Sequence, residues 1–296
     1  MSRYVIFSNI IGRYFEDDIV VERYNEIHQS NEILRECKST ENIYNIVLMN
    51  YYEYEQELYN ISLSDEVFNG SYSIFNHYIS KIEQRLLNLL ASITLYLDFF
   101  KYEKHTEKFS PYVKGEFKQV HEFIETENAN NKNIKIVKFI RNHIQHNGLV
   151  VENFSINGKN LSDKLREQTL SLSINKQNIK ANWFNPEDFL ELEETLDLKK
   201  YIRVYVDFIS RVHSEFREIT KDKVTKSRTC LESVFQEYND HKVVYIAEIK
   251  NQTKIGELAI LLDWDDVRLD MVKRNHVPKA FARHSINTKA RGFEDD

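Results

Sequence analysis

The sequence predicts a mostly α-helical protein with little β-structure. Its 296 residues include only 7 glycines and 3 prolines, well below the usual shares of about 7% and about 5%. Because sandwiches and barrels need a turn about every 8–12 residues, this scarcity leaves little room for them. Long stretches instead repeat apolar residues at steps of three and four, which is the spacing of one buried helix face. With 42% hydrophobic residues, the chain can bury a substantial core.

Two long helices are expected in the first third of the chain. One covers residues 39–61, where the sequence Ser39-Thr-Glu-Asn can supply the N-cap. The other covers residues 65–104 and carries a single apolar stripe at helical spacing, so we expect it to lie centrally in a bundle. The stripe consists of Phe75, Ile79, Ile82, Leu86, Leu89, Ile93, Leu97 and Phe100.

Two shorter helices and then a β-hairpin are expected next. The helices cover residues 117–127 and 133–147, and Asn147-Gly148 is a favourable left-handed stop for the second. The hairpin is expected as an insertion at about 149–180, with its turn at Asn157-Gly158, because that dipeptide lies between two strand-like segments.

The rest of the chain is expected to be helical first and mixed at its end. Residues 187–219 carry apolar residues on one side, and residues 226–238 predict another helix. Residues 243–249 are strand-like and precede a helix and a basic tail. The predicted organisation is an N-terminal acidic segment (1–38), a helical bundle (39–220) and a C-terminal extension (221–296).

The charge is unevenly distributed along the chain. The formal net charge is −6, but residues 14–66 hold thirteen acidic residues against three basic ones. Residues 271–291 hold six basic residues and no acidic one. A protein of this charge is a poor candidate for coating nucleic acid in bulk, although a local basic surface can still bind phosphate. The ordinary interpretation of the acidic block (residues 14–66) is a solvated face.

Several classes of protein are disfavoured. The chain holds neither Gly-x-Gly-x-x-Gly nor a P-loop, which form the common phosphate cradles for nucleotides. Its two cysteines, Cys37 and Cys230, fit no zinc or disulfide framework and predict a reducing cytoplasm. No apolar stretch reaches the roughly 18 residues needed to span a bilayer, and no signal peptide is recognisable. We therefore expect a cytoplasmic protein with no membrane partner.

One short stretch, Ile140-Arg-Asn-His-Ile-Gln-His-Asn-Gly148, carries candidate chemistry. At about 100° per residue, its helix buries one stripe and presents a polar face opposite to it. Arg141 offers a fixed cation and His146 an imidazole that titrates near neutrality, a pair suited to phosphodiester chemistry. His143 lies at the border of this face. The alternative is a solvated helix face whose last-turn histidine satisfies the helix dipole. The polar face consists of Lys135, Lys138, Arg141, Asn142, Gln145 and His146.

The spacing Arg141-Asn142-x-x-x-His146 resembles the Arg-x(4–6)-His motif of the HEPN superfamily, in which the residue after Arg is often Asn. The setting is also similar, because the motif closes a bundle helix that lies between two long helices. The resemblance covers residues 39–220 and implies a HEPN-like helical bundle. Known relatives include ribonuclease toxins, abortive-infection proteins and the nuclease domains of RNA-guided type VI CRISPR effectors.

The resemblance implies a metal-independent, cofactor-free endoribonuclease of bacterial antiphage defence or toxin–antitoxin growth arrest. Two protomers would build one composite site, where the ribose 2′-OH attacks the adjacent phosphate and leaves a cyclic phosphate. His146 would be the general acid/base, Arg141 would bind the phosphate, and Asn142 would orient groups across the interface. The implied partners are RNA such as tRNA or mRNA, a second copy of the chain, and an antitoxin or regulatory protein. Supporting RNA contacts would come from Lys135, Lys138, His143 and Gln145.

Two other function classes stay open. The bundle could be a non-catalytic HEPN-like interaction or regulatory module. The C-terminal region could instead bind nucleic acid as a regulator, since residues 254–280 faintly suggest a helix-turn-helix without its turn glycine. Residues 263–266 are acidic enough to suggest a metal, but they lack the spaced oxygen ligands of a calcium loop. For the acidic block, the sharper hypothesis is that it screens the site or repels RNA until a trigger moves it.

Overall fold

Helices dominate the computed structural model, and small antiparallel sheets complete it, so the predicted mostly α fold class with a small β insertion is confirmed. None of the helices it describes combines the length and the apolar character needed to cross a membrane. The structure describes residues 3–11, 14–64, 71–101, 111–147, 151–162, 165–179, 186–238, 241–281 and 288–291.

The elements follow one another along the chain as seven helices and eight strands within these described ranges. They are β1 (Arg3–Ser8), β2 (Phe15–Ile19), α1 (Val21–Ser62), α2 (Tyr72–Phe99), α3 (Lys114–Asn130), α4 (Lys132–Asn147), β3 (Asn153–Ser162), β4 (Leu165–Asn175), α5 (Pro186–Leu190), β5 (Thr195–Asp197), α6 (Leu198–Glu237), β6 (Val244–Lys250), β7 (Thr253–Ile260), α7 (Asp263–Arg274) and β8 (Thr288–Arg291).

The chain divides into two compact units that are interleaved in sequence. Both α1 and α6 contribute residues to each unit. The predicted organisation into three consecutive segments does not follow these units, because distant parts of the chain return to each of them. The first unit comprises Met1–Asn45, Phe99–His121 and Ser214–His276, and the second comprises Ile46–Asp98, Glu122–His213 and Val277–Asp296.

The first unit contains an antiparallel sheet in the order β2-β1-β6-β7. Its strand β1 is buried on both faces, and Val5, Ile6 and Phe7 are each at most 1% exposed. Ile6 shares a core cluster with Ile27 of α1 and Leu231 of α6. A strand covered on both faces lacks the apolar–polar alternation of a half-buried strand. For this reason β1 is not predicted from the sequence. Its partner β2 is not predicted either.

Helix α1 begins at Val21 and not at the predicted Ser39. The hydroxyls of Ser39 and Thr40 donate to the carbonyls of Arg35 and Glu36, at 3.0 and 3.1 Å. Such back-bonding accommodates Ser and Thr inside a helix, whereas an N-cap side chain accepts from an N–H two or three residues later. The interpretation of Ser39-Thr-Glu as a helix start is therefore wrong.

Helix α6 is continuous over 40 residues, where the sequence predicts separate helices at 187–219 and 226–238. No glycine or proline interrupts residues 198–237, and the polar residues between the two predicted helices stay helical. The hydroxyls of Thr220 and Thr225 donate to carbonyls one turn earlier. Before α6, the chain forms α5 and the short strand β5 instead of the predicted helix.

The predicted hairpin is formed by β3 and β4, but its turn is not at Asn157-Gly158. Asn157 pairs with Thr169 and Gly158 pairs with Gln168 inside the ladder. The ladder instead continues to the pair of Ser162 and Leu165. This register keeps one face of β4 buried, and a slip of one residue would expose it. The buried side chains of that face are Leu170, Leu172 and Ile174.

The predicted C-terminal strand is confirmed as β6, and it forms a hairpin with β7. The turn residues Asn251 and Gln252 both have positive φ, 51° and 64°, as two-residue hairpin turns of type I′ require. Residues 253–260 are therefore a strand, and the helix-turn-helix suggested at 254–280 is wrong. Only its second part is helical, as α7.

Candidate functional site

Helix α4 carries the candidate motif in the second unit, and the side chains described on it are all buried or half-buried. Every residue from Lys132 to Ile144 is at least partly buried. The expected stripe is buried at Ile136, Val137 and Ile140, whereas Ile144 is only partly buried. Phe139 is buried as well, at 2% exposed. The described residues of the polar face, Lys135, Lys138, Arg141 and Asn142, are half-buried.

Arg141 is held by two hydrogen bonds from its guanidinium. Its Nε donates to Thr94 Oγ1 of α2 at 3.2 Å, and its Nη1 donates to Asn142 Oδ1 at 2.9 Å. Thr94 Oγ1 in turn donates to the carbonyl of Leu90 at 2.8 Å. Asn142 thus binds Arg141 within its own chain, where the resemblance implies a role across an interface. The hydrogen bonds fix the guanidinium between α2 and α4.

Helix α6 brings a third side chain toward the same guanidinium. Tyr205 is buried, and that burial raises the pKa of its phenol well above the ordinary value. The positive charge of Arg141 lowers the pKa of Tyr205, and the negative charge of Asp98 raises it. Tyr205 therefore stays neutral beside the cation, and three helices supply the surroundings of Arg141.

The remaining predicted site residues are placed as follows. The ring of His143 lies 5.6 Å from the ring of Phe139, centroid to centroid, tilted by 46°. Lys135 and Lys138 are partly buried on α4. The backbone of Gln145 and His146 belongs to α4, but their side chains lie outside the described residues, as does the predicted stop Gly148. The structure thus brings together Arg141 and Asn142 of the predicted set, whereas it places His143 against Phe139.

Two α2 residues lie near the motif. Thr94 was missed by the sequence analysis, whereas for Glu83 the sequence left open a role facing the site or a surface pair with Arg85. Thr94 accepts a hydrogen bond from Arg141. The sequence feature that could have pointed to it is a hydroxyl residue inside the most apolar stretch of the chain. Glu83 of α2 is buried and accepts a hydrogen bond from the backbone N–H of Val151 at 3.3 Å. Val151 is the first described residue after α4, so Glu83 anchors the chain just beyond the motif.

The acidic block is internal only in part. Glu41 and Glu55 are buried, whereas the exposed acids described in the block are Asp17, Asp18, Glu22, Glu26 and Glu53. In the second unit, Glu55 accepts from Arg203 Nε and Nη2, both at 2.7 Å, and both side chains are about nine-tenths buried. In the first unit, Glu41 binds Arg217 in the same bidentate way, at 2.8 and 2.7 Å. Glu53 pairs with an arginine nearer the surface. The block therefore provides ion pairs within each unit, and Glu41 and Glu55 are not exposed to repel RNA.

The acidic stretch at 263–266 serves structure in the first unit. Asp265 is fully buried and accepts from Arg268 and from Arg228, whose Nη1 lies 3.0 Å from Asp265 Oδ2. Asp266 also pairs with Arg228 at 2.9 Å. Across the ranges given above, no three His, Cys, Asp or Glu side chains are grouped as metal ligands. Asp265 and Asp266 are therefore ion-pair partners of arginines.

Comparisons with protein-family models, with curated proteins and with solved structures found no match to this chain.

Proposed function

We propose that the protein is a metal-independent endoribonuclease of the HEPN type. The observation that carries the proposal is the guanidinium of Arg141, held at Nε by Thr94 and at Nη1 by Asn142. A positioned, partly buried guanidinium can stabilise charge on a phosphate more strongly than a mobile surface side chain. His146 follows five residues later on the same helix and supplies the titratable group.

The reaction is an internal transfer at phosphorus. The ribose 2′-oxygen forms a bond to phosphorus while the bond from phosphorus to the 5′-oxygen breaks. His146 accepts the proton of the 2′-hydroxyl, and the second imidazole of a composite dimer site gives a proton to the leaving 5′-oxygen. Arg141 stabilises the charge on the non-bridging oxygens. The products are a 2′,3′-cyclic phosphate and a 5′-hydroxyl, so DNA, which lacks the 2′-hydroxyl, is not a substrate.

The proposed setting follows from the same resemblance. The chain works in the cytoplasm as a homodimer and cleaves RNA such as tRNA or mRNA during antiphage defence or growth arrest. An antitoxin or regulatory protein keeps it inactive until a trigger arrives. Lys135 and Lys138 lie on the helix face of Arg141 and add positive charge for the RNA backbone.

The test is RNA cleavage by purified protein in excess EDTA, with analysis of the product ends. Wild type is expected to leave cyclic phosphates. His146→Ala should reduce the rate by at least about 100-fold, since a general acid or base contributes that much. His77→Ala, an exposed histidine on α2, is the matched control and should keep the wild-type rate. Equal cleavage by wild type and His146→Ala, or a need for magnesium, would refute the proposal.

A second candidate is a non-catalytic interaction module, and one observation favours it. In the second unit, large apolar side chains that are 43–55% exposed follow one another along α1 and its end. Several exposed apolar side chains on one helix favour an interaction surface. This function predicts no RNA cleavage by wild type, together with partner binding that Met49→Lys abolishes. The stripe consists of Ile46, Met49, Tyr52, Tyr59 and Leu63.

A further inference from the structure

We infer that Thr94 is a positioning residue for Arg141, a role that rests on the proposed function, and that Arg141 meets the scissile phosphate end-on through Nη1 and Nη2. Thr94 lies on α2, 47 residues before Arg141, and does not belong to the motif. It acts on the reaction only through the guanidinium that it holds.

The direction of the contact between Thr94 and Arg141 is set by hydrogen-bond chemistry. The single hydroxyl proton of Thr94 is donated to the carbonyl of Leu90 at 2.8 Å. A lone pair of Oγ1 therefore faces the N–H of Arg141 Nε at 3.2 Å.

Occupation of Nε decides which edge of the guanidinium remains for a phosphate. A guanidinium binds two anionic oxygens either through Nε and Nη2 or through Nη1 and Nη2. Thr94 closes the first edge. Asn142 Oδ1 takes one N–H of Nη1, which leaves the other. Within the described part of the chain, no residue accepts a hydrogen bond from Nη2, so the edge formed by Nη1 and Nη2 is the one left for a phosphate.

The same geometry predicts that lysine cannot replace Arg141. A lysine ammonium is a point charge on a flexible stem and cannot bind Thr94 with one edge while presenting a second edge to phosphate. We expect Arg141→Lys to retain the charge and to lose cleavage nearly as completely as Arg141→Ala.

The kinetic test compares three threonine variants in the full chain. Thr94→Val removes the acceptor at almost constant volume, and Thr94→Ser restores it. Thr126→Val is the matched control, because Thr126 makes the same back-bond, to the Glu122 carbonyl at 2.9 Å. Loss of a hydrogen bond to a charged group should lower kcat about tenfold or more in Thr94→Val. KM should change less, because the misplaced guanidinium is needed chiefly in the transition state.

A second readout does not depend on activity. The Nε–H resonance of Arg141, assigned by its disappearance in Arg141→Lys, should shift in Thr94→Val and stay in place in Thr94→Ser and Thr126→Val. An unmoved resonance, or a Thr94→Val enzyme with wild-type kcat, overturns the positioning role and leaves the proposed function intact. If wild type cleaves no RNA, the proposed function and the phosphate contact both fail. The resonance then decides the Thr94 hydrogen bond separately.

Discussion

Replacing Glu55 by glutamine should destabilise the protein far more than the same change at Glu53. Both carboxylates are on α1, two residues apart, and each pairs with one arginine. Glu55 and Arg203 are only 10% and 11% exposed and share two hydrogen bonds of 2.7 Å. Glu53 and Arg85 are 47% and 36% exposed and share one of 2.6 Å. The pairs differ chiefly in burial.

The magnitudes follow from that difference. Glu55→Gln leaves a largely buried guanidinium without its carboxylate, which costs about 3 kcal/mol. Glu53→Gln breaks a solvated pair and should cost about 1 kcal/mol or less. At about 2 °C per kcal/mol for a chain of this size, the Tm should fall by about 6 °C in Glu55→Gln and by at most about 2 °C in Glu53→Gln.

The assay is urea denaturation followed by helical circular dichroism, with thermal melts of the same samples. A double-mutant cycle with Arg203→Met separates the coupling of the pair from the loss of either side chain. Equal destabilisation by Glu55→Gln and Glu53→Gln would refute the reasoning, since burial would then not set the strength of the pair. An unchanged cleavage rate in Glu53→Gln would in addition argue against an acidic block that repels RNA.

Two further predictions concern the first unit. Burial raises the pKa of the Cys37 thiol to about 12 and also raises the pKa of Cys230, so both stay protonated at neutral pH. A thiol reagent should label neither cysteine in the folded protein and both in denaturant, and one rapidly labelled thiol would contradict this. Ile6→Ala should lower the free energy of unfolding by about 2–4 kcal/mol in urea. The exposed control Ile11→Ala should change it by less than about 0.5 kcal/mol, and equal effects would show that β1 is not part of the core.

Local pattern was sufficient to predict helices α2, α3 and α4. The stripe predicted on α2 is confirmed at Ile82, Leu86, Leu89 and Ile93, each at most 1% exposed. Helical periodicity depends on neighbours three and four residues away, so a single sequence contains it. The same locality misled at Ser39, because a hydroxyl that bonds back inside a helix has the same sequence signal as one that caps it.

What the sequence by itself determined is a mostly helical chain with Arg141, Asn142 and His146 on one helix. Only the tertiary structure decided that β1 pairs with β6, that Thr94 holds Arg141, and which carboxylates are buried. These contacts join residues separated by 47 to more than 200 positions. Pairing over such distances depends on how helices and strands pack, and no local pattern of residue types encodes it.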